Sequence, residues 1–476
     1  MKDLTKGNPY KIILFFALPI FIGCVFQQLY NMVDTIIVSH TVNALAFTGV
    51  SLTGSVSFLI LGFSNGLTAG FSVRIANRFG AGDKEGVRRA VAMSYILCII
   101  VSIVITAIAV PLCGPVLRLM GISETYYDYA YSYLFVIFCG ICASVFYNMM
   151  AGVLRALGDS KTPLYCLIGA ALLNVALDFL FIVGFKMHYH GAAVATVLSQ
   201  LLAGGASLIY FVLRYPDFRL KKSDWKWDWH LAGGHFAVGL PMALQFSITA
   251  IGCIFQQSAL NGVAKIYVGA DTGYAAASKI DNIATQTFNA LGTAIATYAG
   301  QNTGAGETGR VRKGAKVGMI YTLVSWAIGF AFTIGLYRPL MGLFLDQNDA
   351  TVAQNYDAIL SYGLQYLIFQ SAFYAPLGAI FVYRNTLQGM GCSLIAMFAG
   401  VAELAGRTLT SFVFVRYWGF IGFCLSNPVA WVAADLLLVT AYIVIMRKEK
   451  KQENQEPKRN CKHKDKREEE QLPHAA

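Results

Sequence analysis

The sequence predicts an all-α integral membrane protein with twelve transmembrane helices in two pseudo-symmetric six-helix bundles. Its 476 residues are 56% hydrophobic and only 13% charged, whereas roughly a quarter of the residues in soluble proteins are charged. Apolar runs of about twenty residues recur along the chain, and each is long enough to cross a bilayer as a helix. The strand-period alternation of an outer-membrane barrel is missing from the sequence.

Twelve spans are expected, separated by polar or glycine-rich connections. The first apolar run is too long for a signal peptide and lacks a small-residue cleavage site, so we expect it to remain as a helix. Thr162-Pro163 is typical of an N-cap followed by proline at the first helical position. The expected spans are 12–39, 46–73, 90–112, 127–153, 163–185, 192–213, 234–260, 274–300, 315–337, 356–383, 393–415 and 422–446.

Lys and Arg are concentrated on one side of the expected membrane. The amino terminus, the connections after even-numbered spans and the tail hold thirty of them, against six in the other connections. Because cytoplasmic loops carry this excess, both termini are expected in the cytoplasm and the protein in the cell membrane. The same distribution explains the net charge of +11 without a nucleic-acid partner.

A repeated segment divides the chain into halves. Residues 80–90 read GAGDKEGVRRA and residues 304–314 read GAGETGRVRKG, a spacing of 224 residues. Each follows the second span of its half, so the two halves enter the membrane from the same side and are related by an axis along its normal. The expected units are 1–214, a cytoplasmic linker 215–233 at headgroup level, 234–446, and a disordered charged tail 447–476.

Polar residues inside the spans are the candidates for function, since ionisable groups are costly to insert. Gln27, Tyr30, Asn31 and Asp34 recur at helical spacing in span one, and Asn174 and Asp178 share a face of span five. Helical rise places Asp34, Asp178 and Thr196 of span six at similar depth. Such a cluster could bind H⁺ or share Na⁺; ordinary interhelical hydrogen bonds are the alternative.

The second half carries a different pair at the repeated position. Glu403 and Arg407 lie four apart in span eleven and align with Asn174 and Asp178. They are either a substrate-facing or gating pair, or an internally neutralised structural pair; Asp281 and Asp435 are weaker candidates. The CxxC of Cys139 and Cys142 and the outer-loop residues His188 and His190 are not expected to bind metal.

The chain resembles the MATE (multidrug and toxic compound extrusion) family over about residues 10–446, closer to its MepA and DinF-like members than to typical NorM proteins. The resemblance rests on segments that include Leu18-Pro19, YNMVDT at 30–35, the GAG loop at 80–82, LRALGDSKTP at 154–163, NVALD at 174–178 and GAAVAT at 191–196.

The resemblance implies two six-helix lobes in a V that exchange toxic organic cations or drugs for H⁺ or Na⁺. It implies an ion site at the residues matching Asp34, Asn174, Asp178 and Thr196, with Tyr30, and a bend of the first helix at Pro19 in some members. The second-lobe carboxylates of NorM-like members are replaced here by glutamines, which makes a second cation site doubtful: Gln256, Gln257 and Gln370.

The sequence therefore predicts a monomeric ion-coupled antiporter that exports small, cationic amphipathic molecules, without a cofactor. Gln27, Asn31, Glu403 and Arg407 are its candidate substrate or gating residues. The alternative is a lipid-linked saccharide flippase of related architecture, which would need a strongly cationic cavity. An intramembrane enzyme is not expected, because the spans contain no HExxH or GxSxG motif and no paired catalytic histidines.

Overall fold

A computed structural model describes the backbone of residues 3–41, 49, 53–120, 122–185, 187–345 and 350–469. It describes the side chains of the same ranges except 30–41, 188–189, 350–351 and 452–469. Within these ranges every regular element is a helix, which confirms the all-helical expectation.

Twelve long helices, α1 to α12, correspond to the twelve predicted spans. They are α1 (Pro9–Thr41), α2 (Gly54–Gly80), α3 (Lys84–Leu119), α4 (Glu124–Cys139 and Ile141–Ala156), α5 (Lys161–Asp178), α6 (His188–Arg214), α7 (Trp229–Ala264), α8 (Ala270–Gly304), α9 (Thr308–Gly335), α10 (Tyr356–Ala372 and Tyr374–Gly389), α11 (Ser393–Leu409) and α12 (Ser426–Glu469). Shorter helices are Tyr337–Gly342, Ala350–Gln354 and Val415–Cys424.

Irregular features recur at equivalent positions in the two halves. The two parts of α4 meet at a bend of 48°, and those of α10 at a bend of 45°. α5 and α11 each continue into a π-helical turn, Phe179–Gly184 and Thr410–Phe414. Because π-turns and sharp bends are uncommon in helices, their pairing at α4/α10 and α5/α11 supports an internal structural repeat.

Among the described residues, eleven of the twelve long helices are long and apolar enough to cross a membrane. Nine of them are continuous, and α4 and α10 are included if each bent pair is one span. α8 is more polar than the others, although it is 35 residues long. Its polar residues therefore need a separate explanation.

Several helices extend beyond the apolar runs that predicted them. The second span was expected at 46–73, and α2 continues beyond it to Gly80; the expected start lies outside the described residues. α3 begins at Lys84 rather than at residue 90. Polar ends continue a helix because backbone hydrogen bonding does not stop where hydrophobicity does. For the same reason α12 is helical as far as Glu469, where we expected a disordered tail.

Acidic side chains begin several helices by accepting backbone hydrogen bonds. Asp83 caps α3 through the Gly86 N–H at 2.7 Å, and Asp228 caps α7 through the N–H groups of residues 230 and 231. At α5 the cap is Asp159, which accepts from the Lys161 and Thr162 N–H groups at 3.1 and 3.0 Å. Thr162, which we expected to be the N-cap, is already inside the helix.

The two halves join mainly where α2 packs along α7 and α8. Glycines permit this approach: a Cβ on Gly70 would lie 2.4 Å from the Gly239 Cα, and one on Gly66 would lie 2.6 Å from the Met242 carbonyl oxygen. α1 lies between α5 of the first half and α8 and α9 of the second. α1 is therefore in contact with both halves of the protein.

Candidate ion and substrate sites

The structure brings together three of the residues predicted to form the ion site. Asn174 and Asp178 lie in the last turns of α5, and both are fully buried. The Asn174 Nδ2 donates to the Thr196 Oγ1 of α6 at 3.5 Å, and Thr196 donates to the Ala192 carbonyl oxygen at 3.0 Å. The π-helical turn begins directly after Asp178, a distortion that often marks functional sites in helices.

The α1 side of this cluster is described only as backbone. Tyr30, Asn31 and Asp34 are in α1, but their side chains lie outside the described residues. Their proposed roles remain predictions. α1 does pack against α5, as an approach of Asp34 to the cluster requires.

A cavity of about 110 Å³ lies in the first half between α1, α4 and α5. Pro19 and Gln27 line it from α1, and Asn148 and Arg155 line it from α4. α1 is helical on both sides of Pro19, which is buried inside it. Gln27, a predicted substrate residue, thus lines a cavity, and so does Arg155, which the predicted spans place in a connection.

The second half contains a buried network around Glu403. Arg384 of α10 forms a hydrogen-bonded ion pair with Glu403, and the Arg407 Nη2 lies 3.9 Å from the other Glu403 oxygen. The Arg407 Nε donates to the Asn427 Oδ1 at 3.3 Å. Asn427 in turn donates to the Gln370 Oε1 at 3.2 Å.

These contacts change the interpretation of the predicted Glu403–Arg407 pair. Glu403, Arg407 and Arg384 are 4%, 6% and 7% exposed, and Glu403 lies between two guanidinium groups. Arg384 was expected in a connection, because the apolar part of span ten ends before it; α10 instead continues to Gly389. A shared, buried arrangement favours the structural interpretation, in which the charges neutralise one another.

Two weaker acidic candidates also lie against polar groups of the second half. The Tyr374 hydroxyl donates to the Asp281 Oδ1 at 2.8 Å. Asp435 of α12 is close enough to Arg384, Glu403 and Tyr383 to interact electrostatically with all three. Neither aspartate lies among the residues that form the first-half cluster.

α8 carries a polar face that hydrophobicity alone did not identify as important. Its polar residues recur every three or four positions, and Asn282 and Asn289 remain exposed in the middle of the helix. The polar face comprises Ser278, Asn282, Gln286, Asn289 and Thr293. Polar faces of membrane helices turn toward protein or water-filled cavities. A test of helical periodicity on this span would have found it.

The repeated glycines bring the two halves together at the face where the amino terminus lies, here called the basic face. A Cβ on Gly80 would lie 1.8 Å from the Gln301 carbonyl oxygen, and a Cβ on Gly304 would lie 1.8 Å from the Asn77 carbonyl oxygen. The two contacts are related by the 224-residue repeat. The backbones of α2 and α8 are therefore in direct contact at this face.

The amino-terminal segment covers the same contact. The Leu4 N–H donates to the Gln301 Oε1 at 3.0 Å, and the Gln301 Nε2 donates to the Ala156 carbonyl oxygen at 2.8 Å. The Arg310 guanidinium donates to the carbonyl oxygens of Leu4 and Gly7 at 3.2 and 3.0 Å. Residues from both halves are thus tied together, and these contacts close the two halves against each other at this point of the basic face.

Metal-ligand groups do not cluster in the part of the chain that the structure describes. No three His, Cys, Asp or Glu side chains there could hold a metal ion together. Cys139 and Cys142 are both exposed and free.

Comparisons with known proteins agree with the helical repeat. A family model described as MatE matches residues 19–180 and 241–411, once in each half. The probable multidrug resistance protein YpnP of Bacillus subtilis is 30% identical over 87% of this chain and 88% of its own length. The multidrug export protein MepA of Staphylococcus saprophyticus is 19% identical over 84% of this chain and 88% of its own.

Solved structures share the fold. A multidrug resistance MATE family transporter of the MOP superfamily, in an outward-facing conformation, matches with a TM-score of 0.85. The match covers 95% of this chain and 99% of that chain at 23% identity. The arrangement of twelve helices in two bundles is therefore an established architecture.

Proposed function

Because the chain belongs to the MatE family, a family of multi-pass membrane transporters that includes drug exporters, we propose that it is an antiporter that exports small organic molecules in exchange for H⁺ or Na⁺. Its cargo is proposed to be cationic and amphipathic. Its matched relatives carry the names of multidrug resistance and export proteins, which supports export of drugs as its general activity.

The observation that carries ion coupling is the buried cluster at the end of α5. Asp178 is fully buried beside Asn174, whose amide contacts the Thr196 hydroxyl of α6. A carboxylate removed from water must take up a proton or be neutralised by a cation. Carboxylate, amide and hydroxyl oxygens are also suitable ligands for a hard cation such as Na⁺. Asp34 and Tyr30 of α1 are proposed to complete the site.

The proposed mechanism couples this cluster to movement of α1. Ion binding at Asp34 and Asp178 stabilises one position of α1 and weakens substrate binding, which favours release at the face opposite the basic face. An ion shifts such an equilibrium only by its difference in affinity for the two states. The seal at the basic face supports a state in which release to the other side is possible.

The proposal includes the arrangement of the chain in the membrane. Residues 1–214 and 234–446 form two lobes joined by the linker 215–233, and the protein acts as a monomer in the cell membrane. The basic face is cytoplasmic, because positively charged connections stay on that side. Family members are transporters, which favours transport over an enzymatic role.

Efflux from proteoliposomes tests the coupling. An imposed pH gradient and an imposed Na⁺ gradient are applied separately to the wild-type chain, to Asp34→Asn and to Asp178→Asn, with ethidium as cargo. One gradient should drive accumulation in the wild type, and both variants should lose it while keeping energy-independent ethidium exchange. Asp128→Asn, an exposed position on α4, is the matched control and should behave as the wild type. Gradient-driven accumulation in both cluster variants would refute the proposal.

The alternative of a lipid-linked saccharide flippase depends on interior positive charge. Arg384 and Arg407 raise the number of buried cations, but both face Glu403, so neither of these two described arginines is free to bind a pyrophosphate. Translocation of a pyrophosphate-linked lipid in vesicles, with no ethidium transport, would favour the flippase instead.

A further inference from the structure

Among the described residues, Arg155 differs from Arg384 and Arg407 in having no acidic neighbour. Arg384 and Arg407 both approach Glu403. The ionisable groups that approach Arg155 are the Tyr147 phenol and the Cys24 thiol, and no hydrogen bond or ion pair of Arg155 is formed within the described part of the chain.

A guanidinium with no hydrogen-bond or ion-pair partner among the described residues is an unusual arrangement inside a membrane protein. It carries five N–H donors and a charge that it does not lose in proteins. Leaving such a group without an acceptor away from water costs free energy. Arg155 is only partly buried, because it faces the cavity between α1, α4 and α5. Arg155 therefore lines a space that a ligand can occupy.

The cavity is separate from the ion cluster. Gly23 of α1 lies at the level of Leu164 and Leu167 on α5, where a Cβ on the glycine would make contacts of 3.5 Å. Leu167 precedes Asp178 by three helical turns, about 16 Å along α5. A group bound at Arg155 would thus leave the ion cluster free.

The size and polarity of the cavity limit what can bind. Its volume of about 110 Å³ is somewhat smaller than the roughly 150 Å³ of a protein cavity that holds benzene, so it accepts one polar group with a few carbon atoms. Gln27 and Asn148 supply further hydrogen-bonding groups at its wall. Guanidinium binds planar or tetrahedral oxyanions through two parallel hydrogen bonds.

We propose that Arg155 binds a carboxylate or phosphate group of the transported molecule, so that the cargo includes amphiphiles that carry an acidic group. The acidic end enters the cavity, and the remainder of the molecule extends away from Arg155. The proposal rests on the proposed export function, but it adds an anion-recognition site that the resemblance and the ion cluster do not require.

Two dyes that differ only by esterification test the proposal. Rhodamine 110 carries a free carboxylic acid, and rhodamine 123 is its methyl ester. Binding to the purified full chain is measured by fluorescence anisotropy, and export is measured in proteoliposomes. Arg155→Gln should weaken rhodamine 110 binding roughly tenfold, as expected for loss of a hydrogen bond between charged groups, and should change rhodamine 123 binding less than twofold.

Two further variants separate recognition from folding. Arg155→Lys keeps the charge without the two-pronged geometry, so it should bind rhodamine 110 with intermediate affinity. Arg118→Gln is the matched control, because Arg118 ends α3 and lies over the Tyr127 ring, away from the cavity. It should bind both dyes as the wild type does.

Competition on the wild-type chain provides a measurement that needs no variant. Benzoate should displace rhodamine 110, and the neutral, similarly shaped benzamide should not. Equal weakening of both dyes by Arg155→Gln, unchanged binding of both, or equal displacement by benzoate and benzamide would each overturn the proposal. Arg155-dependent binding of rhodamine 110 without gradient-driven export would instead contradict the proposed antiport and leave the anion site intact.

Discussion

The contact of Gly80 with the backbone of α8 is expected to control whether the basic face is sealed. In Gly80→Ala the new Cβ would lie 1.8 Å from the Gln301 carbonyl oxygen, whereas ordinary Cβ contacts begin at 3.4 Å. The helices must separate by about 1.6 Å to admit the methyl group, and overpacking of this kind costs roughly 1–3 kcal/mol. Because the strain exists only in the sealed state, the population should shift toward the open state by about 5- to 150-fold.

Hydrogen–deuterium exchange measures this shift directly. The Leu4 N–H, which donates to Gln301, and the backbone of residues 300–304 should exchange faster in Gly80→Ala by the same factor, provided that exchange is limited by opening. Gly309→Ala is the matched control, since a Cβ at Gly309 meets open space. Equal exchange in Gly80→Ala and the control would refute the inference that this backbone contact holds the seal.

Three other perturbations have defined outcomes. Glu403→Gln removes the buried acid that Arg384 contacts and should lower the free energy of unfolding by about 3–5 kcal/mol. This loss should appear as a lower midpoint of thermal unfolding in detergent. An unchanged midpoint would contradict a structural role for Glu403. Asp224→Asn breaks the 3.3 Å ion pair with Arg88 and should make residues 216–228 more sensitive to limited proteolysis, with no effect if the linker is held elsewhere. Hydrogen bonding to Lys84 lowers the pKa of Asp217 below its usual value of 3.8. This linker contact is therefore complete above pH ~4 and is lost as pH falls through the lowered pKa. Proteolysis of the linker should rise only below pH ~4.

Much of the fold could be predicted because hydrophobic length determines how many helices cross a bilayer. Each of the twelve expected spans is represented by one helix. The ends were less accurate, because a helix continues through polar residues at the membrane surface. That error moved Arg155 and Arg384 into connections, although the structure places them inside α4 and α10.

Part of the candidate ion site followed from helical periodicity. Asn174 and Asp178 share one face of α5, and the level of Thr196 on α6 follows from counting residues along the helix. The partners of Glu403 could not be predicted in this way, because Arg384 comes from a helix whose rotation depends on its packing. That Arg155 has no partner among the described residues is likewise a tertiary property.

The repeated GAG segment was informative about symmetry but not about contact. Its spacing of 224 residues predicted two related halves. The structure shows that Gly80 and Gly304 each face the backbone of the other half. A glycine in a loop can serve as a turn or allow close approach, and only the packed structure distinguishes the two uses.

Ion release on cargo binding tests the central claim most directly. Ethidium is added to the purified chain in weakly buffered solution, and released H⁺ or Na⁺ is measured with a pH indicator or a sodium electrode. The wild type should release about one ion for each ethidium bound, because both ligands are linked through the α5 cluster. Asp178→Asn should bind ethidium and release none. Release of the same number of ions by Asp178→Asn would contradict the account.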